Sequence, residues 1–232
     1  MSTIQELTSD VEEQRQVRDA YGVALLFVLV SVLTLIAFGS RGPLALVGIS
    51  AFLQVGALVV TLRVSGFSPR SWTIGSIVVV TVFAAGVLSY ALGDRPGHLL
   101  GLALWIVLTL TTIASILRRI GAYERITVQL LMGLLVVYLL LGVSFGLGYA
   151  LIEVLTKTAF AQGVQGVSGC VYFSFITMAT VGFGDVSPGN DLVRAVAVAE
   201  AIAGQLYLVS VVSVAVSRLG NRRTRQQSEE SE

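Results

Sequence analysis

Residues 172–185 read YFSFITMATVGFGD, and this stretch decides the fold assignment. It begins inside an apolar run of 11 residues, 169–179, which is shorter than the roughly 20 residues of a transmembrane helix. It ends in a segment with glycine at alternate positions, Gly182 and Gly184. The pattern predicts a short buried or re-entrant helix with Ser168 as its N-cap, followed by an extended segment.

The alternate glycines suit a segment that binds a dehydrated cation. A potassium ion that loses its water needs oxygen ligands at similar distances, and backbone carbonyls supply them when several point toward one axis. Consecutive carbonyls of an ordinary strand point to opposite sides. Glycine relieves this restriction because it reaches backbone angles that other residues avoid. Thr180 can add a hydroxyl oxygen at the inner end of such a segment.

The chain as a whole has the composition of a membrane protein. Of its 232 residues, 55% are hydrophobic and only 12% are charged, against about 25% charged in soluble domains. We therefore expect an all-α membrane protein with six transmembrane helices, the short helix lying between the fifth and the sixth. The six apolar blocks are residues 20–39, 44–62, 72–92, 98–117, 128–152 and 192–218.

The distribution of basic residues predicts the orientation of these helices. With the N-terminus inside, eleven of the fifteen Lys and Arg residues fall in inside segments, as the positive-inside rule requires. The expected protein is a multi-pass protein of the cell membrane with both termini cytoplasmic. The same orientation places residues 153–191 at the outer face.

Several functional classes are disfavoured by composition. The net charge of +1 gives no electrostatic basis for binding nucleic acid. Cys170 and His98 are the single cysteine and histidine and lie in separate segments, so neither a metal site nor a Cys–His nucleophile is expected. Glu200 is the only acid within a spanning block, so no catalytic cluster can be assembled. We expect no enzymatic activity and no cofactor.

The segment Thr177–Asp185, TMATVGFGD, resembles the signature of the potassium channel family, with phenylalanine where tyrosine is commoner. The resemblance covers residues 128–218, which are similar to prokaryotic two-helix potassium channels, whereas the first four helices resemble six-helix channels in topology only. One filter strand per chain implies a homotetramer in the lipid bilayer. The implied selectivity filter is Thr180, Val181, Gly182, Phe183 and Gly184. The implied K⁺ ligands are Thr180, Val181, Gly182 and Phe183.

Other residues are expected to support the filter. The resemblance implies that Asp185 accepts a hydrogen bond from Tyr172, the alternative being a solvated carboxylate. Thr177 belongs to the signature itself. An ionisable residue inside a membrane helix is costly and by default functional, so we expect Glu200 to form a hydrogen-bonded brace near Thr177. A role of Glu200 in helix packing alone is the alternative. Glu153 and Asp191 are expected to be solvated.

The sixth helix is expected to line the pore. Gly204 matches the hinge glycine of the family, although a glycine that only permits close packing is equally compatible. Gly142 and Gly146 in the fifth helix form a small-xxx-small pattern that predicts close helix contact. The stripe expected to face the pore, by helical spacing from Gly204, is Gln205, Leu208, Val212 and Val216.

The predicted function is passive, selective conduction of K⁺. The fourth helix has no arginine repeated at every third residue, so intrinsic voltage sensing is not expected. A non-selective cation channel, a potassium transporter and a membrane enzyme are the alternatives. The expected domains are a cytoplasmic N-terminal segment (1–19), a four-helix membrane domain without voltage-sensor arginines (20–117), a cytoplasmic linker (118–127), a pore domain (128–218) and a cytoplasmic tail (219–232).

Overall fold

The computed structural model describes residues 22–37, 95–121 and 128–229, together with a few single positions between residues 52 and 84. Over these residues the structure is helical, which confirms the all-α class. The second and third predicted spans lie largely outside the described residues. The helices are α1 (Gly22–Ala37), α2 (Arg95–Gly121), α3 (Val128–Thr156), α4 (Gly166–Met178) and α5 (Asp191–Glu229).

Three of these helices are long and apolar enough to cross a membrane. The candidate spans are Pro96–Arg118 in α2, Leu131–Thr156 in α3 and Asp191–Ser213 in α5. The helix α4, with 13 residues, lies between the last two spans in the chain and is about 20 Å long. It is therefore too short to be a span of its own, as the sequence predicts.

The helix α3 is the centre of the hydrophobic core. It contains a single charged residue, Glu153, and it packs against α2, α4 and α5. Its Val136 and Val137 have no exposed surface. The buried apolar side chains of α1 join the same core at every fourth residue, as one face of a helix requires. They are Ala24, Val28 and Val32.

Close contact between α3 and α4 depends on two glycines. A Cβ atom added at Gly146 would lie 2.7 Å from the Cα of Val171. One added at Gly142 would lie 2.9 Å from the side chains of Phe175 and Met178. The two helices thus approach to a distance that leaves no room for a methyl group. The predicted packing role of Gly142 and Gly146 is confirmed.

The N-terminus of α4 differs from the prediction. The helix begins at Gly166, three residues before the predicted start, and Gln165 occupies the N-cap position without a side-chain cap bond. The predicted N-cap Ser168 is wrong, because it lies inside the first turn and its hydroxyl donates to the Ile36 carbonyl at 3.3 Å. An acid from α3, Glu153, accepts hydrogen bonds from the backbone N–H groups at this end instead.

The loop before α4 and the loop after it are joined to each other. Phe160, in the loop after α3, forms an antiparallel bridge with Pro188, in the loop before α5. The backbone of Gly189 donates to the Ala159 carbonyl at 2.8 Å. A Cβ atom at Gly189 would meet the Thr158 carbonyl oxygen at 2.7 Å, so glycine is required for this approach. These contacts fix the position of the chain that leaves the predicted filter.

Candidate functional site

The predicted filter begins where α4 ends. The carbonyl of Ile176 accepts two hydrogen bonds, from the backbone N–H of Val181 at 2.8 Å and of Gly182 at 3.1 Å. The N–H of Thr180 donates to the Thr177 carbonyl at 3.0 Å. Carbonyls that would be unsatisfied at a helix C-terminus are thereby paired with the first residues of the filter. The filter backbone is thus attached directly to the last turn of α4.

The backbone of this segment alternates in conformation. Thr180, Gly182 and Gly184 have positive φ angles of 57°, 54° and 79°, whereas the residues between them do not. Such alternation cancels the reversal of carbonyl direction along an ordinary strand, which is the requirement for a row of carbonyls on one side. A β-branched residue with positive φ costs about 1–3 kcal/mol, so the structure holds Thr180 in this state against its own preference.

Residues 180–184, the predicted filter, are exposed on the surface of the chain. Val181 and Phe183 are 51% and 70% exposed, although both are large and apolar. Among the described residues, apart from the adjacent ones in the chain, no heavy atom lies within 4 Å of the point where a Cβ atom would stand at Gly182 or Gly184. The backbone of the segment is therefore accessible from outside the chain.

The predicted pair behind the filter is present. The hydroxyl of Tyr172, in α4, donates to Asp185 Oδ2 at 2.9 Å. Asp185 directly follows the last filter glycine, so this bond connects the outer end of the filter to α4. The carboxylate of Asp185 thus has a protein partner, in addition to its exposure to solvent.

Glu200 lies fully buried where α3, α4 and α5 meet. Its Oε2 accepts a hydrogen bond from the Tyr149 hydroxyl at 2.6 Å, and its Oε1 contacts the Ser174 hydroxyl. The expected hydrogen-bonded contact with α4 is therefore present, but the partner is Ser174 and not Thr177, which lies one turn further along. Tyr149 was not expected from the sequence, where an isolated tyrosine in an apolar helix gives little indication of its partner.

Gly204 packs against the C-terminal end of α4. A Cβ atom there would lie 2.5 Å from Met178 Cγ and 3.2 Å from the Met178 carbonyl oxygen. The helix α5 continues through this position. The contact gives Gly204 a packing role, and its role as a hinge stays a prediction.

The predicted pore-lining stripe follows Gly204 on α5. Gln205 and Val212 are exposed in the single subunit, and Leu208 is half-buried. Val216 lies in α5, beyond the residues whose side chains are described. The exposure of Gln205 and Val212 is compatible with a position facing a pore. That these residues line a pore stays a prediction.

The expectation that Glu153 is solvated is wrong. This side chain is 6% exposed, and its two oxygens accept the backbone N–H groups of Gln165 at 2.6 Å and Gly166 at 2.9 Å. A carboxylate is favourable at a helix N-terminus because the helix dipole places partial positive charge there. Glu153 thus attaches the start of α4 to the end of α3. By contrast, Asp191 is exposed and pairs with Arg194 at the surface, as expected of a solvated acid.

Three aromatic rings connect the outer loop to this framework. Tyr149, Phe160 and Phe173 form edge-to-face pairs with centroid distances of 5.1 to 6.1 Å. They come from α3, the following loop and α4. Such pairs contribute about 0.5–1.5 kcal/mol beyond their buried area. The Tyr149 ring that joins this cluster carries the hydroxyl that reaches Glu200.

Comparisons with known proteins agree with this geometry. Residues 133–221 match a family described as ion channel. The delayed-rectifier potassium channel regulatory subunits KCNS2 of Mus musculus, Rattus norvegicus and Homo sapiens are each 28% identical over 115 residues. That alignment covers 50% of this chain and 23% of each relative. No solved structure matches. Residues 133–221 are thus similar to an ion channel domain, and the similarity to these relatives supports the resemblance to potassium channels that residues 177–185 carry.

Proposed function

We propose that this chain is one subunit of a potassium-selective channel that conducts K⁺ passively down its electrochemical gradient. The observation that carries the proposal is the backbone of residues 180–184. It combines the sequence TVGFG with positive φ at alternate residues, at the C-terminal end of a short apolar helix. Backbone carbonyls arranged in this way can replace the hydration shell of K⁺.

In this proposal the helix α4 is a re-entrant pore helix that assists dehydration. Its C-terminal end carries partial negative charge from the helix dipole, and the filter begins at that end. A cation near the inner end of the filter is therefore stabilised before carbonyls surround it. Because the helix itself supplies this field, the proposed mechanism uses no cofactor and no enzymatic step.

The proposed assembly is a homotetramer around the filter axis. Only 11% of the candidate span in α5 is buried within one subunit, compared with 56% for α3. The outward face of α5 has a row of exposed apolar side chains, which neighbouring copies would cover in the assembly. They are Leu192, Val198, Ile202, Leu206 and Val209.

The proposed topology has six spanning helices and both termini in the cytoplasm. Arginines of α2 occur only at its ends, at Arg95, Arg118 and Arg119, so residues 96–117 contain no arginine that a transmembrane potential could move. We propose on this basis that the channel is not intrinsically voltage-gated.

The decisive experiment is a measurement of ion selectivity. The purified full chain is reconstituted in planar bilayers, and the reversal potential is recorded with potassium on one side and sodium on the other. A value near the potassium equilibrium potential supports the proposal. A value near zero with measurable current indicates a non-selective cation channel, which the absence of a hydroxyl on Phe183 makes the nearest alternative.

A matched pair of variants tests whether the filter backbone carries the selectivity. Gly182→Ala places a side chain at φ 54°, where an L-residue pays about 1–2 kcal/mol. Gly148→Ala adds the same methyl group in α3, where no atom lies within 4 Å. The first variant should lose selectivity or current, and the second should behave as the unmodified protein. Equal selectivity in both variants would contradict the role assigned to the filter.

A further inference from the structure

Glu200 belongs to a series of three linked oxygen–oxygen contacts. The Tyr149 hydroxyl lies 2.6 Å from one carboxyl oxygen, and the Ser174 hydroxyl contacts the other. The same Ser174 hydroxyl lies 2.6 Å from the backbone carbonyl oxygen of Gly142. All three side chains have no exposed surface. The contacts form a chain of four groups: the tyrosine, the carboxyl group, the serine and the carbonyl.

Each of these three contacts needs one proton between its two oxygens. The tyrosine hydroxyl and the serine hydroxyl carry one proton each, and the Gly142 carbonyl carries none. An ionised carboxylate is an acceptor only, so two protons would have to serve three contacts. Any such assignment leaves two oxygens facing each other at hydrogen-bond distance without a proton between them.

We propose that Glu200 is an un-ionised carboxylic acid that donates a hydrogen bond to Ser174. The donors then run in one direction: Glu200 donates to Ser174, and Ser174 donates to the Gly142 carbonyl. Tyr149 donates to the second oxygen of the Glu200 carboxyl group. With three protons for three contacts, every oxygen pair is satisfied.

The surroundings are consistent with a neutral acid. Among the residues that the structure describes, no lysine, arginine or histidine forms an ion pair with Glu200. A buried charge without a partner is costly, and a protonated carboxyl group avoids that cost. The groups that reach the carboxyl, Tyr149 and Ser174, are hydroxyls and bring no positive charge.

This arrangement makes Glu200 a positioning residue, and that role depends on the proposed channel function. This chain of hydrogen bonds, called the relay below, runs from Tyr149 through Glu200 and Ser174 to the Gly142 carbonyl. It joins α5 to both α3 and α4, one turn before Gly204 contacts Met178 at the end of α4. Because the acid is neutral, the connection adds no charge behind the filter. Behind the filter, the field acting on K⁺ would then come from the carbonyls and the α4 dipole, without a charge from Glu200.

Infrared spectroscopy of the full chain reconstituted in lipid tests the protonation directly. The carbonyl stretch of a protonated carboxylic acid is separate from the carboxylate bands. We expect such a band in the unmodified protein and its loss in Glu200→Gln. Glu153→Gln is the matched control, since that buried acid accepts two backbone N–H groups and is not a hydrogen-bond partner of the Tyr149 or Ser174 hydroxyl. It should leave the acid band unchanged. A spectrum in which Glu200→Gln leaves the acid band unchanged would overturn the proposal.

A second set of variants tests the direction of the relay. The amide of Glu200→Gln can donate to Ser174 and accept from Tyr149, so this variant should retain the thermal midpoint that Glu200→Ala loses. Ser174→Ala removes the hydroxyl that accepts the hydrogen bond of Glu200, and it should shift the infrared band of the protonated carboxyl group without abolishing it. If glutamine and alanine at position 200 lower the midpoint equally, the relay is wrong. The infrared result does not depend on conduction, so a non-selective current accompanied by the acid band would reject the proposed function alone.

Discussion

Replacing Gly146 by alanine tests the contact between α3 and α4 with a single added methyl group. The new Cβ would lie 2.7 Å from both the Cα and the Cγ2 of Val171, whereas ordinary contacts begin at 3.4 Å. One of the two atoms belongs to the backbone of α4, so a change of side-chain rotamer cannot remove the overlap. The two helices must move apart, and α4 carries the start of the filter with it.

The expected loss of free energy of unfolding in Gly146→Ala follows from comparison with Gly148→Ala. Both substitutions gain the same helix propensity, about 1 kcal/mol, because both lie inside α3. Overpacking costs about 1–3 kcal/mol and applies only at Gly146, since nothing lies within 4 Å of the Cβ position at Gly148. The difference in free energy of unfolding between the two variants should therefore be about 1–3 kcal/mol, with Gly146→Ala the less stable.

The assay is thermal unfolding of the two purified variants in the same detergent. Size-exclusion chromatography after heating gives the fraction of protein that remains assembled. Gly146→Ala should have the lower midpoint, and the proposed potassium selectivity, measured in bilayers, should fall because α4 is displaced. Equal midpoints, or a higher one for Gly146→Ala, would refute the close approach of the two helices.

Three further substitutions test individual contacts. Glu153→Ala leaves two backbone N–H groups without their acceptor and should lower the free energy of unfolding by at least about 2 kcal/mol. The control Asp191→Asn, at an exposed acid, should change it by less than about 0.5 kcal/mol, and similar thermal midpoints for the two variants would contradict the role of Glu153. Tyr172→Phe removes the 2.9 Å bond to Asp185 and should shorten single-channel openings with little change in stability, and unaltered openings would exclude a supporting role. Asn190→Ala removes the side chain that caps α5 and should cost about 1 kcal/mol in chemical denaturation, so an unchanged curve would count against the cap.

The conformation of the filter was partly predictable from residue type. Glycines at 182 and 184 indicate positive φ, because glycine alone adopts that region without cost. Thr180 also has positive φ, and its sequence argues against it, since a β-branched residue avoids this region. In the structure the N–H of Thr180 donates to the Thr177 carbonyl at the end of α4. Residue type alone does not predict how the chain turns at this helix end.

The two buried acids show the limit of the sequence more clearly. The partners of Glu153 are backbone N–H groups 12 and 13 residues away, which every residue type except proline offers equally. Nothing in the sequence distinguishes this acid from a solvated one. For Glu200, helical spacing gives the side of α5 that faces α4. It does not give the longitudinal register between the two helices, which decides between Ser174 and Thr177.

The length of α5 on the C-terminal side of Gly204 has a mechanical consequence. From Gly204 to Glu229 the helix extends for about 38 Å at 1.5 Å per residue. Moving as a rigid rod about the Gly204–Met178 contact, a tilt of roughly 10° would displace the far end by roughly 7 Å. A small lateral force near Glu229 therefore exerts a large torque on the Gly204–Met178 contact, which lies beside the predicted filter.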